Sequence, residues 1–157
     1  LSSAASDVYK RQIYNETLRD RVCAVSNKTH YNEMNVLSMH ALIGAYQPQG
    51  YEWVDELNQV LAGNIEYFCD YVDEHFEGVS YSRPQGTYMV FLDCTEWCRE
   101  HGRDIQWLLD EGARVGVGYQ DGRPFHGPCH IRVNLALPLS RVREACDRLD
   151  RYVFNAR

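Results

Sequence analysis

The hydrophobic period changes sharply at Gly78, and that change limits the folds open to this chain. Trp53, Val54, Leu57, Val60, Leu61, Ile65, Phe68, Val72 and Phe76 recur every three or four residues, the period of a helix with one apolar face. They predict a helix of roughly 24 residues, longer than an ordinary globular helix. Beyond Gly78 the period drops to two. Val79–Ser82 and Thr87–Asp93 are rich in β-branched and aromatic residues and are separated by Pro84 and Gly86, which predicts two strands with a tight connection. His130–Ala136 alternates strictly. Ile131, Val133 and Leu135 fall on one face, and His130, Arg132, Asn134 and Ala136 on the other, as in a half-buried strand.

The remaining segments fill in an α+β pattern. Leu18, Val22 and Val25 mark a helix from Asn15 that the polar stretch Ser26–Glu33 should break, and a second helix is expected from about Asn35 until shortly before Pro48 and Gly50. Arg103 to Glu111 reads as a helix, Val115–Gly118 as a short strand, and the glycine- and proline-rich Tyr119–Pro128 as a loop. Ser140 is placed to cap a last amphipathic helix carrying Val142, Cys146, Leu149 and Val153. Four parts follow. Residues 1–12 (LSSAASDVYKRQ) match nothing around them and are set aside as a non-native, adapter-derived tail. Residues 13–50 are helices without a sheet of their own, 51–77 a long linking helix, and 78–157 a small α+β domain of four strands and two helices. Helices at 15–25 and 35–46 have no sheet to cover, so their apolar faces should stay exposed and promote aggregation.

Composition removes several classes of function. In 157 residues, 45% are apolar and 24% charged, which excludes a disordered chain. Sixteen basic against 22 acidic side chains leave a net charge of −6, unsuited to nucleic acid or an anionic membrane. No apolar run approaches the roughly 18 residues needed to cross a bilayer. The six cysteines form no regular framework, so a reducing, cytoplasmic compartment is expected.

Among residues that could carry chemistry, Arg132 comes first. A guanidinium in mid-strand must face water, an acid or an anionic ligand, because burying it unpaired is costly. Its planar fork grips a carboxylate through two parallel hydrogen bonds. The pattern alone also allows an arginine on a solvated sheet face. Cys94, Cys98, His101, His126, Cys129 and His130 invite a zinc reading, but their spacing is not that of paired structural ligands, and no metal is expected. Gly112–Gly118 (GARVGVG) lacks the helix and the Lys-Ser/Thr pair of a nucleotide loop. Asp93, at a strand end before Cys94 and Thr95, fits a turn or helix cap better than a catalytic carboxylate.

Several segments resemble, in order, the C-terminal third of fold-type I pyridoxal-phosphate enzymes of the class I/II aminotransferase superfamily. They are IYNETLRDR, Tyr51-Glu52-Trp53 with Leu57 and Asn64, Pro84-Gln85-Gly86-Thr87-Tyr88-Met89, Asp121-Gly122-Arg123-Pro124-Phe125, and above all HIRVNLALPLSRVREACDRL. Within the superfamily the chain most resembles the MalY/PatB-type carbon–sulfur β-lyases, which are cystathionine β-lyase-like. The resemblance implies a small C-terminal domain of the transferase fold, with residues 13–50 as trailing helices of a truncated large domain.

It also implies roles. The arginine of the R-x-N-x-A strand, here Arg132, would bind the α-carboxylate of an amino-acid substrate. Pro84–Met89 and Asp121–Phe125 would border the mouth of the site and shape access to it, while Trp53 and Asn64 would be structural. The family's Schiff-base lysine lies upstream of the IYNETLRDR region, so neither a catalytic nor a cofactor-binding residue is expected in this piece. Lys28, in Asn27-Lys28-Thr29-His30-Tyr31-Asn32, imitates the lysine motif at the wrong place, and Lys10 belongs to the set-aside tail. The parent would be a cytoplasmic, homodimeric, pyridoxal-phosphate enzyme that splits cystathionine or cysteine conjugates into thiol, pyruvate and ammonia. The alternatives are an aminotransferase proper, or a non-catalytic carboxylate-binding or interaction module.

Overall fold

The computed structural model describes residues 13–29 and 35–156. The expectation for residues 1–12, with Lys10, lies outside these, as does part of the Asn27–Asn32 imitation motif. Two compact units, Leu1–Asp55 and Glu56–Arg157, divide inside the long helix.

In the first unit, helix α1 (Glu16–Thr29) and helix α2 (Val36–Ala45) bury no residue at all. Asn35 caps α2, its side chain accepting from the Ser38 amide at 2.9 Å and satisfying one of the orphan donors of the first turn. Helix α1 runs three residues beyond Ser26, where the polar stretch was expected to break it. Helix α3 (Pro48–His75, 28 residues) is longer than its apolar period predicts and begins at Pro48. A proline is tolerated there because the first turn has no intrahelical acceptor for its missing N–H.

The second unit is built on a four-stranded antiparallel sheet. Strands β1 (Ser80–Tyr81), β2 (Met89–Asp93), β3 (Gln120–Asp121) and β4 (His130–Asn134) lie in the order β1-β2-β4-β3. Its helices are α4 (Thr95–His101), α5 (Ile105–Arg114) and α6 (Leu139–Leu149), the last continuing as a π-turn over Asp150–Phe154. One sheet face, carrying Val90, Leu92, Ile131 and Val133, joins a single core with Phe68 and Val72 of α3, Leu108 of α5 and Leu149 of α6. The strict alternation of β4 therefore does what its period predicts: Ile131 is 0% exposed and Val133 8%, while Arg132 between them is half-buried on the opposite face.

Three local expectations fail. Val115–Gly118 is not a strand: Gly116 turns at φ 78° and the Val117 amide donates to the Gly112 carbonyl at 2.8 Å, so the segment closes α5 instead of pairing. The third strand lies just beyond it, inside the predicted loop. Helix α4 is about two turns that the pattern does not suggest, because it buries only Trp97 and Cys98. Ser140 is not the cap. Pro138 holds that position, at φ −56° and ψ 138°, and α6 starts at Leu139.

Asn64, the one buried polar residue among those described, ties α3 to the end of β4. Its amide donates to the Leu135 carbonyl at 2.9 Å and to the Leu137 carbonyl at 2.7 Å. Backbone acceptors that leave a strand inside a core need such partners. Asn64 thus has the structural role expected of it, whereas Trp53 is 62% exposed. No described helix is long and apolar enough to cross a membrane.

Candidate functional site

The open face of the sheet collects the polar and aromatic residues that alternation keeps out of the core. The antiparallel register sets Phe91 opposite Arg132 and Asp93 opposite His130, with Gln120 of β3 flanking Arg132 on the other side. Cross-strand neighbours on one face come within side-chain reach. Among the described residues, no carboxylate pairs with the Arg132 guanidinium. Its Cζ lies 4.6 Å from the centroid of the Phe125 ring instead. Phe125 ends the 3-10 turn Arg123–Phe125 and is 47% exposed. A guanidinium whose carbon lies over an aromatic ring, and which no carboxylate pairs among the described residues, keeps N–H groups available to a carboxylate.

Two residues along the strand, His130 packs its ring 4.6 Å from that of Phe91 and sets Nε2 3.7 Å from Asp93 Oδ2. Its Nδ1 is buried and has no hydrogen-bond partner. Asp93 makes the turn that its sequence position suggests: Oδ1 accepts from the Thr95 amide at 2.9 Å and from the Thr95 hydroxyl at 2.5 Å. Partial burial pushes the Asp93 carboxyl up, but the Thr95 hydroxyl and amide and the nearby His130 outweigh it and hold the group below the usual carboxylate range. An ionised carboxylate held this way is a structural anchor and a poor proton acceptor.

The cysteine and histidine segments do not form a ligand set. Among the described residues, no three His, Cys, Asp or Glu side chains gather as a metal would require. Cys94 and Cys98 are core residues, 0% and 5% exposed, and burial pushes the Cys98 thiol up to about 12. Thiols kept protonated in this way are inert as nucleophiles and as ligands. His126 turns the chain in the left-handed region at φ 63°. Lys28 is exposed in the last turn of α1. The alternation of β4 marks Arg132 in the sequence, but neither the Asp93–His130 pairing nor the Phe125 stack is marked there. Both depend on the sheet register and on how the loop before β4 folds back.

With this geometry in view, similarity to known proteins identifies the architecture. No family model matches the sequence. A protein of Mycobacterium leprae named "Putative cystathionine beta-lyase" is 35% identical over 124 residues, which cover 69% of this chain and 30% of that protein. The PLP-bound C-S lyase of Staphylococcus hominis superposes with a TM-score of 0.73 at 23% identity, over 88% of this chain and 35% of that one. Cystalysin of Treponema denticola, whose structure contains pyridoxal 5'-phosphate, gives 0.71 at 23% identity, over 88% of this chain and 34% of its own. The fold is that of a PLP-dependent transferase C-terminal domain. The resemblance seen in the segments from IYNETLRDR to HIRVNLALPLSRVREACDRL is thereby borne out. The chain spans about 30% of the length of the curated relative. The open sheet face bearing Arg132 joins a cation that no carboxylate pairs among the described residues to an aromatic neighbour, Phe125.

Proposed function

We propose that this chain is the C-terminal part of a pyridoxal-phosphate-dependent carbon–sulfur β-lyase, in which Arg132 binds the α-carboxylate of an amino-acid substrate such as cystathionine or a cysteine conjugate. One observation carries the reading: a half-buried guanidinium in mid-strand, with its carbon over the Phe125 ring at 4.6 Å from the centroid and paired with no carboxylate among the described residues. A cation left unpaired in a partly desolvated place is stabilised by an anion from outside. The names of the relatives supply the substrate class and the cofactor. In the same proposal, residues 13–50 end a large domain, 51–77 link it to the small domain of 78–157, and the parent is a cytoplasmic homodimer.

In this proposal the cofactor is held mainly by parts of the parent outside this chain. Lys28, the lysine among the described residues, is exposed at a helix end. The chemistry that this chain supplies is orientation. Two parallel hydrogen bonds from Arg132 fix the carboxylate, and with it the direction of the bonds at the α-carbon, which lowers the barrier by positioning and not by proton transfer.

The test is lyase activity of the parent restored to full length, measured on cystathionine with Arg132→Ala and Arg132→Lys. Losing a desolvated charge-assisted contact costs about 2–5 kcal/mol, so kcat/KM should fall by roughly 30-fold or more in Arg132→Ala, and by less in Arg132→Lys. Unchanged kcat/KM in both variants would overturn the assignment.

A further inference from the structure

The loop before β4 is tied down more firmly than a loop that merely borders a site needs to be. The Gly122 amide donates to the His130 carbonyl at 2.9 Å, and the His130 amide donates to the Gly127 carbonyl at 3.2 Å, so both ends of the loop are clamped to the strand that carries Arg132. Between them the Phe125 amide donates to the Gly122 carbonyl at 2.8 Å, and the Gly127 amide to the same oxygen at 3.1 Å. The Asp121 carboxylate takes the Arg123 amide at 2.9 Å and its Nε at 2.7 Å, and a terminal nitrogen of Arg123 reaches Gln106 Oε1 at 2.9 Å. Glycine is required where the loop meets the sheet: a Cβ on Gly127 would lie 2.5 Å from Phe91 Cζ. The product of this bracing is the placement of one half-exposed ring over one guanidinium.

We propose that Phe125 is a positioning residue, a fixed aromatic plate that holds the Arg132 fork in the orientation it needs to receive a carboxylate. The inference rests on the carboxylate-binding role proposed above for Arg132. Stacking uses the flat face of the guanidinium and leaves the donors at its edge unspent. It also removes rotamers that a long arginine side chain would otherwise lose on binding. Leucine at the same place would keep an apolar cover but not the quadrupole of the ring.

The experiment uses the whole chain with 15N-labelled arginine, following the Nε–Hε resonance of Arg132, assigned by its disappearance in Arg132→Gln. Acetate is the probe. In the wild type, the Hε signal is shifted by the ring current of Phe125 and moves on titration with acetate. Phe125→Leu should abolish the ring-current shift and weaken acetate binding by roughly 3–30-fold, the range of a cation–π contact, and Phe125→Trp should restore both. The amide spectrum of β2 and β4 reports whether Phe125→Leu is folded. Acetate binding as tight in folded Phe125→Leu as in the wild type, and lost in Arg132→Gln, would overturn the positioning role and leave Arg132 as the carboxylate site. A wild-type Arg132 resonance unmoved by acetate would overturn the Arg132 reading, and this inference with it.

Discussion

Replacing Asn64 with alanine tests how the strand bearing Arg132 is held. The Asn64 amide donates to two carbonyls at the end of β4, Leu135 at 2.9 Å in a buried place and Leu137 at 2.7 Å in a partly buried one. Alanine leaves both without a donor. The buried carbonyl loses about 1–3 kcal/mol, and the partly buried one, which water can reach, about 0.5–1. The sum is roughly 2–4 kcal/mol, a large share of the 5–15 kcal/mol that keeps a typical domain folded. With a urea slope of about 1–1.5 kcal/mol/M for a unit of this size, the midpoint should fall by roughly 1.3–4 M. The assay is equilibrium urea unfolding followed by tryptophan fluorescence, to which Trp97, 2% exposed in the same unit, contributes a buried reporter. Asn58→Ala, at an exposed position of the same helix, serves as control and should leave the midpoint in place. An Asn64→Ala midpoint equal to that of the control would refute the tie as a source of stability.

Other outcomes follow from burial and charge. Alkylation of the native chain at pH 8 should modify exposed Cys23 and spare Cys94, Cys98 and Cys146, because burial pushes the Cys98 and Cys146 thiols up to about 12; mass spectrometry showing Cys146 modified before unfolding would contradict the packing. These raised values also give a pH dependence, with stability complete below the ordinary thiol value of 9.0 and lost as pH rises towards about 12. The lowered Asp93 carboxyl acts at the other end. Its contribution is present above 3.8 and lost as pH falls through its lower folded value, so Asp93→Asn should flatten the acid limb of the unfolding curve; an acid limb of the same steepness would rule that out. Helices α1 and α2 leave Leu18, Val25, Leu37 and Ile43 more than half exposed, and the isolated chain should self-associate with concentration. Sedimentation as a sharp monomer at all concentrations would count against this.

The sequence carried more of the fold than of the site, for a physical reason. The helix period of Phe68 and Val72 and the alternation of Ile131 and Val133 are local records of which face is buried, and burial decided both elements. The segment Val115–Gly118 has strand-like residues but no partner strand, and a positive φ at Gly116 turned it away from the sheet; propensity without pairing does not make a strand. Thr95–His101 went unseen because seven residues are too few to show a helical period. The outward position of Arg132 was legible because alternation is local. Its stack on Phe125, and the Asp93–His130 contact, were not legible, since they depend on the β2–β4 register and on a loop braced at Gly122 and Gly127.

The most direct measurement is a structure of the full-length parent with an unreactive amino-acid analogue bound. The α-carboxylate of the analogue should lie against the edge of the Arg132 guanidinium, in two hydrogen bonds of about 2.7–2.9 Å, with the Phe125 ring still beside it. A carboxylate held by other residues, with the Arg132 side chain swung into solvent, would contradict the assignment of Arg132 as the carboxylate site.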